Sequence, residues 1–326
     1  MQKRVLLKDI AEKMNLTINT VSRALKDKKD ISEATKSEVR RVAYQMGYIP
    51  DTLASSLRSG VTKTIGVMFD NIANPYFVIM TDLLHQVLKK DGYEMMIYTN
   101  SGDHAQLDVD NFNLMASRRL DGIITFLKPT DEVVKLANNN QVPMVILGRE
   151  GDDIGVDSVY TDDYLGGYLM GKYLNDINRD RVAYIGAPQD IVCSIKRSEG
   201  LVAFYNEKGI TIDDKYIIYI EHYIRDFHKH IDFLVKENIK AIFCFNDSMA
   251  YDAMSYLKRS YPDKQIEITG YDNIGHGLRI PVNLATIDSD KEGMVREVVR
   301  FLKHRIAEPN AKLQTKVFKT KLVKFE

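Results

Sequence analysis

Ile18, Asn19, Ser22 and Arg23 fall within one short stretch, with Thr17 and Thr20 beside them. On a helix they share the face opposite Val21, Ala24 and Leu25. Asparagine can bond adenine through two hydrogen bonds, and arginine can bond guanine or a phosphate. Isoleucine cannot donate a hydrogen bond, but it can pack on a thymine methyl. This is the chemistry of a DNA groove. The alternative is a generic three-helix bundle whose outer face happens to be polar.

Other chemistries fail on spacing. Cys193 has no histidine near it in sequence, and no nucleophile elbow occurs. Gly270 to Gly277 is glycine-rich but lacks the strand–turn–helix order of a dinucleotide site. No phosphate-binding loop follows a strand. His228-Lys229-His230 reads as a solvated helix face, since a metal site needs more ligands. The expectation is a protein that is not an enzyme, with no cofactor and no metal.

The elements that would hold the first group can be read around it. Leu7, Ile10, Ala11 and Met14 repeat at helical spacing. Asn15-Leu16 breaks that helix, and Thr17 can cap the next by accepting an orphan backbone N–H. A tight break between two such helices is the helix-turn-helix pattern. Ser32 caps a third helix, lined by Val39, Val42, Ala43 and Met46, and Gly47 ends it. Asp51 can then cap a short helix over residues 52–58, with Leu53 and Leu57 one turn apart. So short a helix is marginal alone, because nucleation is costly.

The chain has 326 residues, with 45 Lys plus Arg balanced by 45 Asp plus Glu. Single cores usually stop growing beyond ~250–300 residues, so two or more domains are expected. The neutrality hides an asymmetry. Residues 1–60 hold 12 basic and 7 acidic side chains, an excess of five that is matched by a deficit in the remainder. A basic head on an acidic body points to a polyanion partner for the head. No apolar run approaches the ~18 residues a membrane span needs. The N-terminus runs into polar residues without a signal-peptide core, so no membrane partner is expected. Cys193 and Cys244 fit buried thiols in a reducing, cytoplasmic setting.

The body alternates short apolar runs with helical patterns. Thr64-Ile65-Gly66-Val67-Met68-Phe69, Tyr93 to Tyr98, Gly122 to Phe126 and Val142 to Leu147 read as strands of one doubly wound unit over residues 62–160. A second series follows Tyr160-Thr161-Asp162, with strands at 182–186, 216–219, 241–245 and 267–271. Gly166-Gly167 and Gly171 lie in a helical pattern and would allow close packing. Two such halves in tandem leave a cleft at their strand carboxyl ends, where ligands of open α/β sheets bind. A last helix runs through Met294, Val295, Val298, Val299 and Leu302, before a β-like run from Lys316 to Phe325.

Several blocks carry a specific resemblance. Leu7-Lys8-Asp9-Ile10-Ala11-Glu12-Lys13, Thr20-Val21-Ser22-Arg23-Ala24-Leu25 and Met46-Gly47-Tyr48-Ile49-Pro50 stand in the head. In the body stand Asn74-Pro75-Tyr76-Phe77, Asp121-Gly122-Ile123-Ile124, Arg197-Ser198-Glu199-Gly200, Asn246-Asp247 and Gly270-Tyr271-Asp272-Asn273. Over nearly its whole length the chain resembles the lactose-repressor (LacI/GalR) family of bacterial transcription regulators. The resemblance implies an α/β protein: a three-helix helix-turn-helix head and a periplasmic-binding-protein-like core of two doubly wound subdomains. It implies a head over residues 1–49, a hinge over 50–61 and a core over 62–326. The N-subdomain would be 62–160 plus 288–314, and the C-subdomain 161–287 plus 315–326.

The resemblance also implies roles. Thr17, Ile18, Asn19, Thr20, Ser22 and Arg23 would meet the major groove. Leu57 would enter the minor groove at the operator centre, with Ala54 and Arg58 beside it. Arg197, Asn246 and Asp272 would bond a small-molecule effector, with Thr125 nearby and Tyr76, Phe77 and Tyr223 as stacking walls. That set suits a sugar. Many sugar-binding members carry Asp where Gly148 stands. Its loss leaves room for a disaccharide or a sugar phosphate, which Arg149 would reach. A nucleobase effector, or a sugar-binding protein that leaves DNA alone, stays open. With no leucine heptad after the core, a homodimer on near-palindromic double-stranded operator DNA is expected.

Overall fold

The computed structural model describes residues 4–50, 60–99, 106–221, 223–278 and 284–324. The hinge positions Ala54, Leu57 and Arg58 lie outside the described residues. The chain separates into two units, Met1–Thr62 and Lys63–Glu326.

In the first unit, three helices share one small core. They are α1 (Leu7–Met14), α2 (Ile18–Leu25) and α3 (Glu33–Gln45). Ile10, Ala11, Val21, Ala24, Val39, Val42 and Ala43 form that core, so the helical spacing in the sequence marks the buried faces. Asn15 takes a left-handed conformation, φ 53°, and closes α1. Thr17 accepts the Thr20 N–H at 3.0 Å and starts α2. Ser32 caps α3 in the same way through Thr35. Lys36 is buried on α3, and its ammonium is matched by Glu33 and Asp27 at 2.6 and 3.1 Å.

The second unit begins with seven strands: β1 (Thr64–Phe69), β2 (Glu94–Thr99), β3 (Gln106–Leu107), β4 (Gly122–Thr125), β5 (Lys128–Pro129), β6 (Met144–Leu147) and β7 (Asp157–Thr161). Four follow in the other half: β8 (Val182–Gly186), β9 (Ile217–Tyr219), β10 (Ala241–Cys244) and β11 (Glu267–Thr269). The chain ends through β12 (Thr286–Ser289), β13 (Thr315–Phe318) and β14 (Thr320–Val323). One sheet has the order β13-β7-β6-β4-β1-β2 and the other β11-β10-β8-β9. Every pairing within both is parallel. The inner strands β1, β4, β6, β8 and β10 are covered on both faces, which is why they read as apolar runs, whereas β2 and β13 at the edges stay largely exposed.

The end of the chain departs from expectation. The run starting at Lys316 is two strands, not one, and residues 315–326 are not all in the C-subdomain. β13 joins the first sheet beside β7, while β14 pairs antiparallel with β12. The helix Lys291–Ala307 packs Met294, Val295, Val298, Val299, Phe301 and Leu302 into the first half's core. β7 is too polar to stand out in the sequence as an apolar run. Its Asp157 is buried and held by Arg305, with N–O distances of 2.9 and 2.8 Å. Among the described residues, no helix is long and apolar enough to cross a membrane.

Two helices of the second half cross at glycines. A Cβ on Gly167, in the helix Asp163–Asp176, would lie 1.9 Å from the Arg197 carbonyl oxygen. One on Gly200, in the helix Val192–Glu207, would lie 2.0 Å from that of Tyr164. Backbone cannot yield as a flexible side chain does. Gly167→Ala should therefore destabilise the core by about 1–3 kcal/mol, the usual cost of overpacking. Urea unfolding checks this, and an unchanged midpoint would contradict the crossing.

Candidate functional site

The cleft of the second unit encloses about 320 Å³. Its walls come from the carboxyl ends of both parallel sheets. Tyr76, Phe77, Arg149, Arg197, Asn246 and Asp272 all line it. Six of the eight residues expected at the effector site are therefore brought together.

Asn74 caps the helix Pro75–Lys90 by accepting the Tyr76 N–H at 3.1 Å, and this sets Tyr76 and Phe77 on its first turn. Phe77 stacks on Phe69, with centroids 5.2 Å apart, and meets Phe126 edge-on at the same spacing. Tyr76 packs edge-on against both Phe77 and Phe126. Burial pushes its phenol well above the ordinary value. One wall is thus an aromatic cluster that includes Phe126 beside the two expected rings.

Arg197 forms the opposite floor. It is 6% exposed. Its Nε donates to Asp163 at 2.8 Å and its Nη1 to the Phe245 carbonyl at 2.6 Å. The guanidinium lies 3.4 Å from the Tyr271 ring centroid and 4.6 Å from that of Phe245. Burial works against its charge, yet Asp163 and the other anionic neighbours hold its pKa well above the ordinary value. Nη2 faces Asp272 at 4.0 Å. Half of the fork is thus fixed by protein, and the other half lies beside a carboxylate in the cleft.

Asp272 sits at φ 96°, followed by Asn273 at 49°. Non-glycine residues in such regions cost of order 1–3 kcal/mol and persist where surroundings impose them. Here Asp272 N–H bonds the Ile287 carbonyl at 2.8 Å, and buried Asp247 accepts the Ile274 N–H at 2.8 Å and the Thr286 hydroxyl at 2.6 Å. Burial pushes the Asp272 carboxyl up, while Arg197 pulls it back. Asn246 caps the helix Asp247–Ser260 with its side-chain oxygen on Met249 N–H at 2.9 Å, so its NH₂ remains a donor. Arg149 is pinned through Nε to the Phe126 carbonyl at 2.8 Å. The neighbouring Gly148 lines the cleft at φ 88°, a conformation a side chain adopts only with strain.

Of the other two expected members, Thr125 does not line the cleft, and the side chain of Tyr223 is not among the described residues. Thr125 is fully buried, and its hydroxyl is spent on Leu127, bonding its carbonyl at 2.8 Å and its N–H at 3.0 Å. It holds the turn after β4. Tyr223 opens the helix Tyr223–Lys236, but its side chain lies outside the described residues. Cys193, expected as a buried thiol, is partly exposed and lines the cleft, whereas Cys244 is buried. Asp70, Asp190 and Tyr271 also line it unforeseen. Asp163 was missed because its partner Arg197 is 34 residues away. His228 is not simply solvated: it bonds Asp252 at 3.0 Å and stacks on Tyr256.

In the head, Thr17, Ile18 and Asn19 are exposed, and Thr20, Ser22 and Arg23 half-exposed, on the outer side of α2. Ile18 shows 49% of its surface. The Thr17 and Thr20 hydroxyls bond one another at 2.8 Å. Arg23 is already engaged: Nε and Nη2 meet Asp30 at 2.8 and 2.6 Å.

Comparison with known proteins agrees with both units. A family model described as bacterial regulatory proteins, lacI family, matches residues 6–51. Another, described as periplasmic binding proteins and sugar binding domain of LacI family, matches residues 62–273. The chain belongs to the LacI family of bacterial regulators: it is a DNA-binding transcription regulator whose core takes a small-molecule effector. It is 27% identical to the HTH-type transcriptional repressor PurR of Aliivibrio fischeri over 308 residues, covering 92% of this chain and 91% of that protein. The PurR of Mannheimia succiniciproducens is 25% identical over 316 residues, covering 95% and 94%. The lac repressor dimer bound to operator and the anti-inducer ONPF shares the fold, with a TM-score of 0.79 at 21% identity, covering 99% and 98% of the two chains. The transcriptional regulator CelR–cellobiose complex gives 0.67 at 22% identity, covering 98% of each.

Asp247 gives the core a pH signature. Burial pushes its carboxyl from 3.8 up to about 7, against the pull of the Thr286 hydroxyl. Across that window the folded chain keeps a proton that the unfolded chain has released. Stability from this group is therefore full in acid and falls as pH rises through about 7. Denaturant unfolding at pH 5 and pH 7.5 should show a loss in the wild type that is smaller in Asp247→Asn. Equal losses would contradict it.

Proposed function

We propose that this chain is a repressor acting as a two-fold dimer on a near-palindromic operator, controlled by a carbohydrate, a sugar or sugar phosphate, bound in the cleft. The observation that carries this reading is the Arg197–Asp272 pair, 4.0 Å apart, facing an aromatic wall. Asp272 accepts hydroxyl hydrogens, the free side of Arg197 donates, and Tyr76 and Phe77 cover the C–H face of a ring. Arg149 and the Asn246 amide add donors. A cavity of this size is in the usual range for a small-molecule site, ~300–1,000 Å³. In the head, Thr17, Ile18, Asn19, Thr20, Ser22 and Arg23 meet the major groove, and Ala54, Leu57 and Arg58 the minor groove. A DNA-bound regulator with two free thiols fits a reducing cytoplasm.

The ligand acts by binding the DNA-competent and DNA-free forms unequally, since equal affinity shifts nothing. A second reading is a nucleobase effector, favoured by the likeness to the PurR repressors at 27% identity. The same aromatic wall stacks a base, and Arg197 with Asp272 bonds its edges.

A thermal-shift panel of sugars, sugar phosphates and purine bases separates these readings, because a ligand of the folded state raises its melting point. A sugar or sugar phosphate should raise the midpoint, and a shift with purines alone would replace the carbohydrate reading. Asp272→Asn should weaken the winning ligand by roughly tenfold or more, as expected for a lost charged hydrogen bond. Titration calorimetry reads this, and unchanged affinity would remove Asp272 from the site.

A further inference from the structure

The side-on pair between Arg23 and Asp30 has no evident structural purpose. Both side chains are about half exposed, at 41% and 54%, and exposed pairs contribute little to stability. Yet the geometry is the two-bond kind, with Nε to Oδ2 at 2.8 Å and Nη2 to Oδ1 at 2.6 Å. It also places a carboxylate beside a reading helix in a head that otherwise carries a basic excess. Such an acid works against phosphate contacts, so its presence calls for a compensating role.

The loop that carries Asp30 is built to hold it. Lys28 N–H bonds the Arg23 carbonyl at 3.1 Å, and Ile31 N–H bonds that of Lys28 at 3.2 Å. Asp27 takes φ 58° and is tied to Lys36 and Arg40 of α3 at 3.1 and 3.0 Å. A guanidinium has five N–H donors in a fixed fork. The pair takes the Nε hydrogen and one Nη2 hydrogen. The end-on edge, Nη1 with the second Nη2 hydrogen, has the geometry that matches guanine O6 and N7. An arginine so held cannot swing to a nearby phosphate without breaking two charge-assisted bonds.

We propose that Asp30 is a specificity-determining residue: it holds Arg23 side-on so that the end-on edge reads a guanine in each operator half-site. This rests on the reading that α2 enters the major groove. Without Asp30, Arg23 would sample phosphates and bases alike, and the head would bind DNA more tightly but less selectively.

The test uses the full-length chain. Duplexes are selected from a random-sequence library with the wild type, and each half-site guanine in turn is replaced by adenine or by 7-deazaguanine, which lacks the N7 acceptor. One guanine should cost about tenfold or more on replacement, and Arg23→Ala should erase that cost. Asp30→Ala should cut the discrimination at the same position to within about threefold, while raising affinity for random duplex DNA and steepening its salt dependence. Asp30→Glu should restore much of the discrimination. A structural role alone would lower affinity for all duplexes alike and leave the preference intact. Full guanine preference in Asp30→Ala, or a preference independent of Arg23, overturns the proposal. Failure to select any duplex overturns the groove reading itself, and this proposal with it.

Discussion

A buried guanidinium organises the core. Arg197 is nearly removed from solvent, and an unpaired charge there would cost several kcal/mol. Asp163 supplies the counter-charge from one helix, the Phe245 carbonyl supplies an acceptor from the end of β10, and Tyr271 supplies a ring face from the end of β11. Each partner comes from a different element. The charge can therefore be satisfied only when the two helices and both strand ends are in place. The glycines at the helix crossing belong to the same device, because they let the helix bearing Asp163 come within reach.

The cleft's second feature is a turn held in an unfavourable backbone conformation. Asp272 and Asn273 both have positive φ, and the segment is tied down by Asp247 and by β12. Asp247 is itself kept neutral more easily than an ordinary carboxyl, because it is buried. Backbone strain beside a cavity is the usual mark of a site shaped for binding rather than for stability. Together the arginine and the turn give the cleft an acceptor and a donor at fixed positions before any ligand arrives. Preorganisation of that kind limits the entropy lost on binding.

The architecture was legible because its signals are local. The helical period of Ile10, Val21 and Val39, the caps at Thr17 and Ser32, and the apolar runs of β1, β4 and β10 all follow from short segments. The tight helix crossing was legible too, from glycines within a helical pattern. What escaped depends on partners distant in sequence. β7 carries Asp157 and Ser158 into the interior, where Arg305 makes the aspartate tolerable from 148 residues away. The split of the final run between β13 and β14 depends on which sheet edges are free, and no residue pattern states that. Thr125 lies near the cleft in sequence terms, but the turn after β4 consumes its hydroxyl. Asp163 and Asp30 stand in no motif, and their roles emerge only once their arginines are placed.

On the proposed reading, one small molecule in the cleft and one duplex at the head compete or cooperate through the same protein. Coupling between two binding sites is reciprocal. The most direct measurement is a pair of titrations on the full-length chain: operator affinity with and without saturating ligand, and ligand affinity with and without saturating operator. The two affinities should change by the same factor, at least about fivefold. An operator affinity that ignores a ligand known to fill the cleft would contradict it.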